Sequence, residues 1–275
     1  MGSEKELHMA LLPAFVLLAF CVGCQTTPYT ERTQLMLTST QEEIQMGEQE
    51  WASICKKSKV STNASYNAAV KRVGMNIAQV AEQPNYRWEF KVFENKEPNA
   101  FCLPGGKIGV FSGLFQFVAN DAELAAVVGH EIGHAVARHG GERMSQSTLQ
   151  QIGSEVTKVF GALVQGRTGV PAEGWLLAYT GLTNVGAMLP FSRAQEYEAD
   201  KLGMILMAKA GYSPSAALAF WGKFKNLSQG STLGNFLSTH PVGEKRIQEM
   251  ESFLPQAVAL YSQASTKWNL GERYH

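Results

Sequence analysis

The sequence predicts a mostly α-helical α+β domain. Six stretches place apolar residues at helical spacing and are bounded by capping residues or glycines. A shorter central region alternates apolar and polar residues, which is the pattern of half-buried β-strands. Of the 275 residues, 45% are hydrophobic and 17% are charged, so the chain has enough apolar side chains for one sizeable core.

The helical segments in chain order are Gln41–Lys57, Asn63–Ala81, Ala122–His139, Arg193–Ala210, Pro214–Asn226 and Glu244–Phe253. The strand segments, which predict a small sheet, are Tyr86–Phe93, Asn99–Leu103 and Lys107–Phe111. Asn120, with Glu123 three residues later, predicts an N-cap and a capping box for the third helix, and Gly140 with Gly141 predicts its end. That helix is apolar nearly all round, so we expect it to be buried.

The first 23 residues resemble a signal peptide of the lipoprotein type. Leu11–Phe20 is an apolar run too short to span a membrane comfortably. Val22–Cys24 resembles a bacterial lipobox, which makes Cys24 the expected site of lipid attachment. An ordinary secretory signal and an uncleaved anchor are the alternatives, and all three export the domain. We expect residues 24–40, which are polar and rich in threonine, to form a tether and residues 41–275 to form the domain.

The segment 141–190, between the third and fourth helices, predicts a lid. Gly166–Gly174 is rich in glycine, and Trp175–Phe191 contains no charged residue. A transmembrane span is one interpretation of the uncharged portion. Its glycines, polar residues and Pro190 favour a helix packed over a cleft instead.

Within the third helix, His130, Glu131 and His134 form the motif HExxH. A helix turns about 100° per residue, so the two imidazoles lie one turn apart and the carboxylate lies beside them. Burying these three groups would be costly without a partner, and a divalent cation fits all three. The motif predicts a zinc ion held by His130 and His134, with Glu131 as a base.

A catalytic zinc ion usually has three protein ligands and one water. The metzincin form of the motif would need Gly at position 137 and His at position 140, where this chain has Ala137 and Gly140. His139 is out of register by one residue. We expect it to be a polar residue in the last turn of the helix, where an imidazolium would favour the helix C-terminus.

The candidate third ligand lies in the helix that begins at Arg193. Glu196 can reach the metal, and Asp200, one turn later, can hydrogen-bond the far nitrogen of a ligating histidine, which we expect to be His130. Glu198 is the rival ligand. It points about 200° away from Glu196, so only one of them can face the metal, and we expect Glu198 to lie outside or to pair with Arg193. A solvated acidic helix face is the remaining interpretation.

Three segments carry a resemblance to a known family. HEIGH, the later SRAQEYEAD and Asn99–Gly106 are similar to the gluzincin family that includes the heat-shock peptidase HtpX and the CAAX prenyl endopeptidase. The likeness runs from about Glu42 to Leu254 and is greatest to the periplasmic lipoprotein members and the mitochondrial inner-membrane peptidase. It implies a zincin-like metallopeptidase domain, with Glu196 as third zinc ligand and Asp200 as the partner of a ligand.

His240 lies in a further segment, Ser238–Pro241, that resembles a family segment whose histidine faces the cleft. The resemblance implies that His240 donates a hydrogen bond to the reacting carbonyl oxygen. Without the family, a His-Pro pair is more typical of an extended or turn element.

These residues together predict a zinc metalloendopeptidase with one Zn²⁺ per chain. Zinc lowers the pKa of its bound water towards about 7, and Glu131 takes the proton and delivers it to the leaving nitrogen. Asn99, Ala100 and Phe101 are expected to bind an extended substrate along an exposed strand edge. Backbone pairing of this kind has little side-chain selectivity, which suits the cleavage of unfolded or damaged polypeptides.

Two other classes remain open. One is a zinc-stabilised, chaperone-like envelope assembly factor with slow or gated proteolysis. The other is a structural lipoprotein with four protein ligands, for which His139 is the nearby candidate fourth ligand. Cys55 and Cys102 could form a disulfide or remain two thiols.

The formal net charge of zero gives no general attraction to nucleic acid. The expected partners are polypeptide substrates and, through the N-terminal lipid, a membrane. The expected location is the periplasmic side of the bacterial cell envelope, at the outer membrane.

Overall fold

The computed structural model describes residues 24–168, 192–227 and 240–274. The elements in chain order are β1 (Cys24–Thr26), β2 (Thr33–Leu35), α1 (Thr40–Lys57), α2 (Ala64–Val80), β3 (Glu89–Phe93), β4 (Ala100–Leu103), β5 (Lys107–Phe111), α3 (Asp121–Val136), α4 (His139–Thr168), α5 (Arg193–Lys209), α6 (Ser215–Leu227) and α7 (Glu244–Gln263). They divide between two compact units, residues 1–39 with 141–187 and residues 40–140 with 188–275. The predicted leader and the Trp175–Phe191 stretch lie outside the described residues.

The first unit contains a two-stranded antiparallel ribbon. Cys24 of β1 lies opposite Leu35 of β2. Arg32, in the turn of the ribbon, donates two hydrogen bonds of 2.8 and 2.7 Å to the carboxylate of Glu142 in α4. The polar stretch that we interpreted as a tether therefore contains local backbone pairing and an ion pair to a helix.

The second unit contains a three-stranded sheet in the order β3-β5-β4. β3 is parallel to β5, and β4 is antiparallel to β5, so β4 lies at one edge of the sheet. The prediction of a mostly helical α+β fold with a small sheet is confirmed. The first strand begins at Glu89 rather than at Tyr86, because the amide of Tyr86 bonds the carbonyl of Gln83 in a turn.

The core of the second unit is built around α3, all 16 residues of which are buried. Apolar side chains of the neighbouring elements surround it, among them Val73, Ile77, Val92, Ile108, Val110, Leu206, Phe220 and Trp221. Asn120 caps α3 by accepting hydrogen bonds from the amides of Ala122 and Glu123. The capping-box prediction is wrong in one detail, because the carboxylate of Glu123 accepts from the amide of Ala119 instead of the amide of Asn120.

The end of α3 differs from the prediction. The helix stops at Val136, and Gly140 with Gly141 lies in the first turn of α4 instead of ending α3. The break is at Arg138, which has a φ of 56° although it is not glycine. Its guanidinium donates hydrogen bonds of 3.1 and 2.7 Å to the buried carboxylate of Glu43 in α1. This ion pair holds the reversal in place.

The last helix is longer than expected and passes through Pro255 to Gln263. Burial of Ala257 on the far side of the proline keeps this part of the helix packed against the core. Cys55 and Cys102 have free thiols. Within the described ranges, no helix combines the length and the apolar character that crossing a bilayer requires.

Candidate metal centre

The two histidines of HExxH present their ring nitrogens to each other on one side of α3. Nε2 of His130 lies 3.0 Å from Nε2 of His134. Both side chains are buried, as is Glu131 between them. Two ring nitrogens at this distance are typical of ligands that share a cation.

Close packing of α5 against α3 brings the third group to the histidines. Gly203 of α5 lies so near α3 that a Cβ atom on it would be 2.9 Å from the backbone nitrogen of His130. A capping box of Ser192 and Gln195 begins α5. One turn into this helix, Oε1 of Glu196 lies 3.3 Å from Nε2 of His134, and Oε2 lies 3.5 Å from Nε2 of His130.

His240 joins the same cluster from the segment before α7. Its Nδ1 lies 3.2 Å from Nε2 of His130 and 3.1 Å from Oε1 of Glu196. One ligand atom from each of His130, His134, Glu196 and His240 therefore falls within 4.8 Å of the others. The sequence offered no candidate fourth ligand apart from His139, whereas the structure places His240 in the cluster.

These residues fit a zinc ion. Ligands about 2.0–2.1 Å from a tetrahedral ion are about 3.3 Å from each other, and the neighbouring donor atoms of the cluster are 3.0–3.5 Å apart. Among the described side chains, the buried oxygens Oε1 of Glu131 and Oε2 of Glu196 have no hydrogen-bond partner. Imidazole and carboxylate donors at tetrahedral spacing are typical of zinc.

Burial and mutual contact shift the pKa values of the ligands in different directions. Burial opposes the charge of His130, but hydrogen bonds to Asp200 and Glu196 outweigh it and raise its pKa to about 9. Burial holds the pKa of His134 well below its usual value. Burial would raise the pKa of Glu196, but the imidazoles of His130, His134 and His240 that surround it keep it far below the usual range. Glu196 is thus an ionised ligand.

Glu131 has the environment of a base. It lies beside the cluster, with Oε1 3.5 Å from Nε2 of His240. Burial raises its pKa above the usual carboxyl value, which makes it a better proton acceptor than an exposed glutamate.

Asp200 lies behind His130. Its Oδ1 is 3.0 Å from Nδ1 of His130, so the carboxylate holds a proton on Nδ1 and turns Nε2 towards the cluster. Arg246 of α7 donates hydrogen bonds of 2.8 and 2.7 Å to Asp200, and its Nη1 lies 2.6 Å from Oε2 of Glu196 without hydrogen-bond geometry. The guanidinium also lies 4.7 Å from the ring of Trp221.

Sequence reasoning missed Arg246 and Trp221. A signal for the arginine did exist, because two buried carboxylates on one helix, Glu196 and Asp200, need a cation besides the metal. Nothing in the sequence marked which arginine supplies it. Trp221 is one apolar residue among many in its helix.

His139 and Glu198 are also placed differently from the expectation. His139 is not in the last turn of α3 but is the buried first residue of α4, with Nδ1 2.8 Å from Nδ1 of His134. Glu198 neither lies outside nor pairs with Arg193; its Oε2 is 2.9 Å from Nε2 of His139 and its side chain is buried. The early end of α3 causes both differences.

The expected substrate residues lie on and next to edge strand β4. Ala100 is buried, and Phe101 packs against Gly109 of β5. Burial raises the pKa of Cys102, the next residue, and the charge of Glu131 raises it further. The edge strand packs against α3, the helix that carries Glu131.

Comparison with known protein families matches residues 64–254 to peptidase family M48. The mitochondrial metalloendopeptidase OMA1 of Schizosaccharomyces pombe is 37% identical over 191 residues, which cover 68% of this chain and 53% of that protein. OMA1 of Saccharomyces cerevisiae is 27% identical over 293 residues, covering 100% of this chain and 81% of that protein. The beta-barrel assembly-enhancing protease of Escherichia coli is 25% identical over 278 residues, covering 98% and 56%. This chain spans about half the length of the first and third of these relatives.

Proposed function

The chain belongs to peptidase family M48, a family of zinc metallopeptidases, and on that premise we propose that it hydrolyses internal peptide bonds of unfolded or damaged polypeptides. The observation that carries the proposal is the buried cluster of His130, His134 and Glu196 with Glu131 beside it. A buried carboxylate with an unpaired oxygen next to three converging ligands is suited to moving a proton.

The chemistry divides between the metal and the side chains. When bound, zinc supplies Lewis acidity, which allows water to ionise near neutral pH and polarises a carbonyl group. Glu131 accepts the proton of the attacking water and passes it to the leaving nitrogen. Asp200 keeps the lone pair of His130 directed at the cluster, and Arg246 neutralises the carboxylates behind it.

His240 has two possible roles, and its position favours one of them in the described conformation. If His240 were a fourth ligand, its Nδ1 would lie where the attacking water has to bind. Hydrolysis would then require His240 to move away, after which its imidazole could donate a hydrogen bond to the reacting carbonyl oxygen, the role that we inferred from the sequence. The position of His240 within the cluster favours the second candidate function, a chaperone-like assembly factor with gated proteolysis.

The substrate is proposed to bind as an added strand. The outer edge of β4 is not paired with another described strand, and β4 packs against α3, which carries Glu131. A peptide in extended form could use the backbone of Asn99, Ala100 and Phe101 and bring its carbonyl near the base. Binding through backbone atoms supports a preference for unfolded chains.

The location is proposed from the leader and from the relatives. Lipid on Cys24 would anchor the domain at the periplasmic side of a bacterial envelope, at the outer membrane. The name of the Escherichia coli relative, a beta-barrel assembly-enhancing protease, supports this proposal, whereas the OMA1 relatives are named as mitochondrial. Metabolic labelling with palmitate tests it: the label should enter the intact chain and be lost in Cys24→Ala.

The test of the enzymatic function uses Glu131→Gln, which removes the base and keeps the shape. Because His240 can block the corner, cleavage of casein is measured both in the intact protein and in His240→Ala. We expect faster cleavage in His240→Ala, and no cleavage in the Glu131→Gln forms of either background. Zinc content and melting temperature should stay unchanged in Glu131→Gln.

Equal cleavage with and without the Glu131→Gln change would remove Glu131 as the base. If neither the wild-type protein nor His240→Ala cleaves casein while zinc is bound, the chaperone-like assembly factor becomes the favoured function. Slower cleavage in His240→Ala would show that its hydrogen bond to the carbonyl matters more than its occupation of the corner.

A further inference from the structure

His134 is one end of a chain of buried hydrogen bonds that leads away from the metal cluster. Its Nδ1 lies 2.8 Å from Nδ1 of His139, and Nε2 of His139 lies 2.9 Å from Oε2 of Glu198. All three side chains are buried, and His139 is fully so. The chain therefore runs from a ligand through a second imidazole to a carboxylate.

The hydrogen-bonding capacities along this chain determine where the protons are. A carboxylate oxygen only accepts, so Nε2 of His139 carries the proton in its contact with Glu198. In a neutral imidazole the other nitrogen then has a lone pair, so Nδ1 of His139 accepts, and Nδ1 of His134 donates. The lone pair of His134 is consequently on Nε2, which faces His130 and Glu196 in the cluster.

We propose that His139 and Glu198 are positioning residues for the metal ligand His134, with Glu198 fixing the tautomers of both histidines in series. This inference rests on the zinc site of the proposed function. It makes the two histidine ligands alike, because His130 is held by Asp200 directly and His134 is held by Glu198 through one intervening ring. Such partners orient the ring and strengthen the ligand.

The backbone provides a second, independent observation. In an unbroken helix His139 would lie about 140° around the axis from His134 and could not reach its ring. The contact exists because the chain reverses at Arg138, whose φ of 56° is uncommon and unfavourable for a residue other than glycine. The ion pair with buried Glu43 maintains this conformation. The fold thus holds an unfavourable backbone whose result is to set His139 against His134.

The test measures zinc affinity by competition with a chelator, so it does not depend on cleavage. Glu198→Gln keeps the shape but replaces a carboxylate that can only accept with an amide that can also donate, so it no longer fixes the tautomer of His139, and His139→Leu removes both hydrogen bonds. We expect both to weaken zinc binding by about 10- to 100-fold. His139→Asn retains an acceptor near the position of Nδ1, so we expect its affinity to lie between those of His139→Leu and wild type.

The matched control is Asp121→Asn, which changes another buried, hydrogen-bonded acid far along α3 from the cluster. Asp121→Asn should lower the melting temperature and leave zinc affinity unchanged. The His139 and Glu198 variants should lose more zinc affinity than any fall in the melting temperature of the metal-free protein can explain. If Glu198→Gln binds zinc within twofold of wild type, or if His139→Asn loses as much as His139→Leu, the proposal is overturned.

A long-range nitrogen–proton correlation spectrum of the zinc-loaded protein reports the tautomer directly. The proton of His139 should be on Nε2, and a proton on Nδ1 would also overturn the proposal. Failure of the wild-type protein to bind zinc at all would instead refute the proposed function on which this inference rests.

Discussion

Adding one methyl group at Gly203 should disturb the metal cluster without touching any of its ligands. An alanine Cβ at this position would lie 2.9 Å from the backbone nitrogen of His130 and 3.1 Å from its Cα. Ordinary contacts between such atoms are about 3.5–4.0 Å. Because these are backbone atoms of a packed helix, they cannot rotate away, so α5 must move from α3 by roughly half an ångström.

The expected cost follows from two opposing terms. Overpacking a core contact costs about 1–3 kcal/mol, and replacing glycine by alanine within a helix recovers about 0.5–1 kcal/mol. The free energy of unfolding should therefore fall by about 1–2 kcal/mol, which lowers the melting temperature by roughly 2–8 °C in a protein of this size. The same displacement moves Glu196 away from the histidines, so zinc affinity should fall by up to about tenfold, the equivalent of 1.4 kcal/mol.

Thermal unfolding of the metal-free protein and chelator competition measure the two effects separately. The matched control is Gly222→Ala in α6, where a Cβ would have no atom of the described residues within 4 Å. This control should be neutral or raise the free energy of unfolding by up to about 1 kcal/mol, and zinc affinity should not change. If Gly203→Ala is as stable as wild type and binds zinc equally well, the reasoning that close helix contact sets the ligand spacing is wrong.

Three further predictions concern stability. Arg246→Met keeps contact with Trp221 but leaves the buried carboxylates of Glu196 and Asp200 without their common cation. The free energy of unfolding of the metal-free protein, measured with urea, should therefore fall by about 3–5 kcal/mol, and a fall below about 1 kcal/mol would contradict the assigned role. Removal of zinc by a chelator should lower the melting temperature, since ligand at 100 times its Kd stabilises a protein by about 2.7 kcal/mol. Re-addition of zinc, but not of magnesium, should restore the melting temperature. Equal recovery with magnesium would argue against a histidine-rich site. Asn120→Ala removes the acceptor for two amides at the start of α3 and should cost about 1 kcal/mol in thermal unfolding, so an unchanged melting temperature would show that the cap is dispensable.

Local sequence patterns predict most of the secondary structure. The bounds of the helices and strands follow from apolar periodicity and caps, and they agree with the structure to within one or two residues at most ends. The late start of β3 reflects the local turn at Tyr86, and the other two exceptions are places where a tertiary contact overrides a local signal. Gly140 and Gly141 looked like a helix end, but the ion pair between Arg138 and Glu43 stabilises a reversal earlier in the chain. Burial of Ala257 likewise carries α7 past Pro255.

The candidate site likewise contains residues that local sequence patterns predict and residues that only the packing of separate elements brings together. HExxH is a local motif, because residues four apart on a helix face the same side. The same periodicity paired Glu196 with Asp200 and left Glu198 as the rival ligand, and the family resemblance favoured Glu196. The structure brings these residues together. The positions of His139, Glu198, Arg246 and Trp221 were not predictable, because each depends on which surfaces meet when separate elements pack.

The sequence by itself determined the class of the fold, the metal-binding motif and the residues that could complete it, since all of these are set by spacing along one helix at a time. Only the tertiary structure decided that His240 joins the cluster of His130, His134 and Glu196 and that His139 lies against His134. Both outcomes depend on distances between elements far apart in the chain or separated by a backbone reversal. Such distances result from packing and charge pairing across the whole core, which no local pattern encodes.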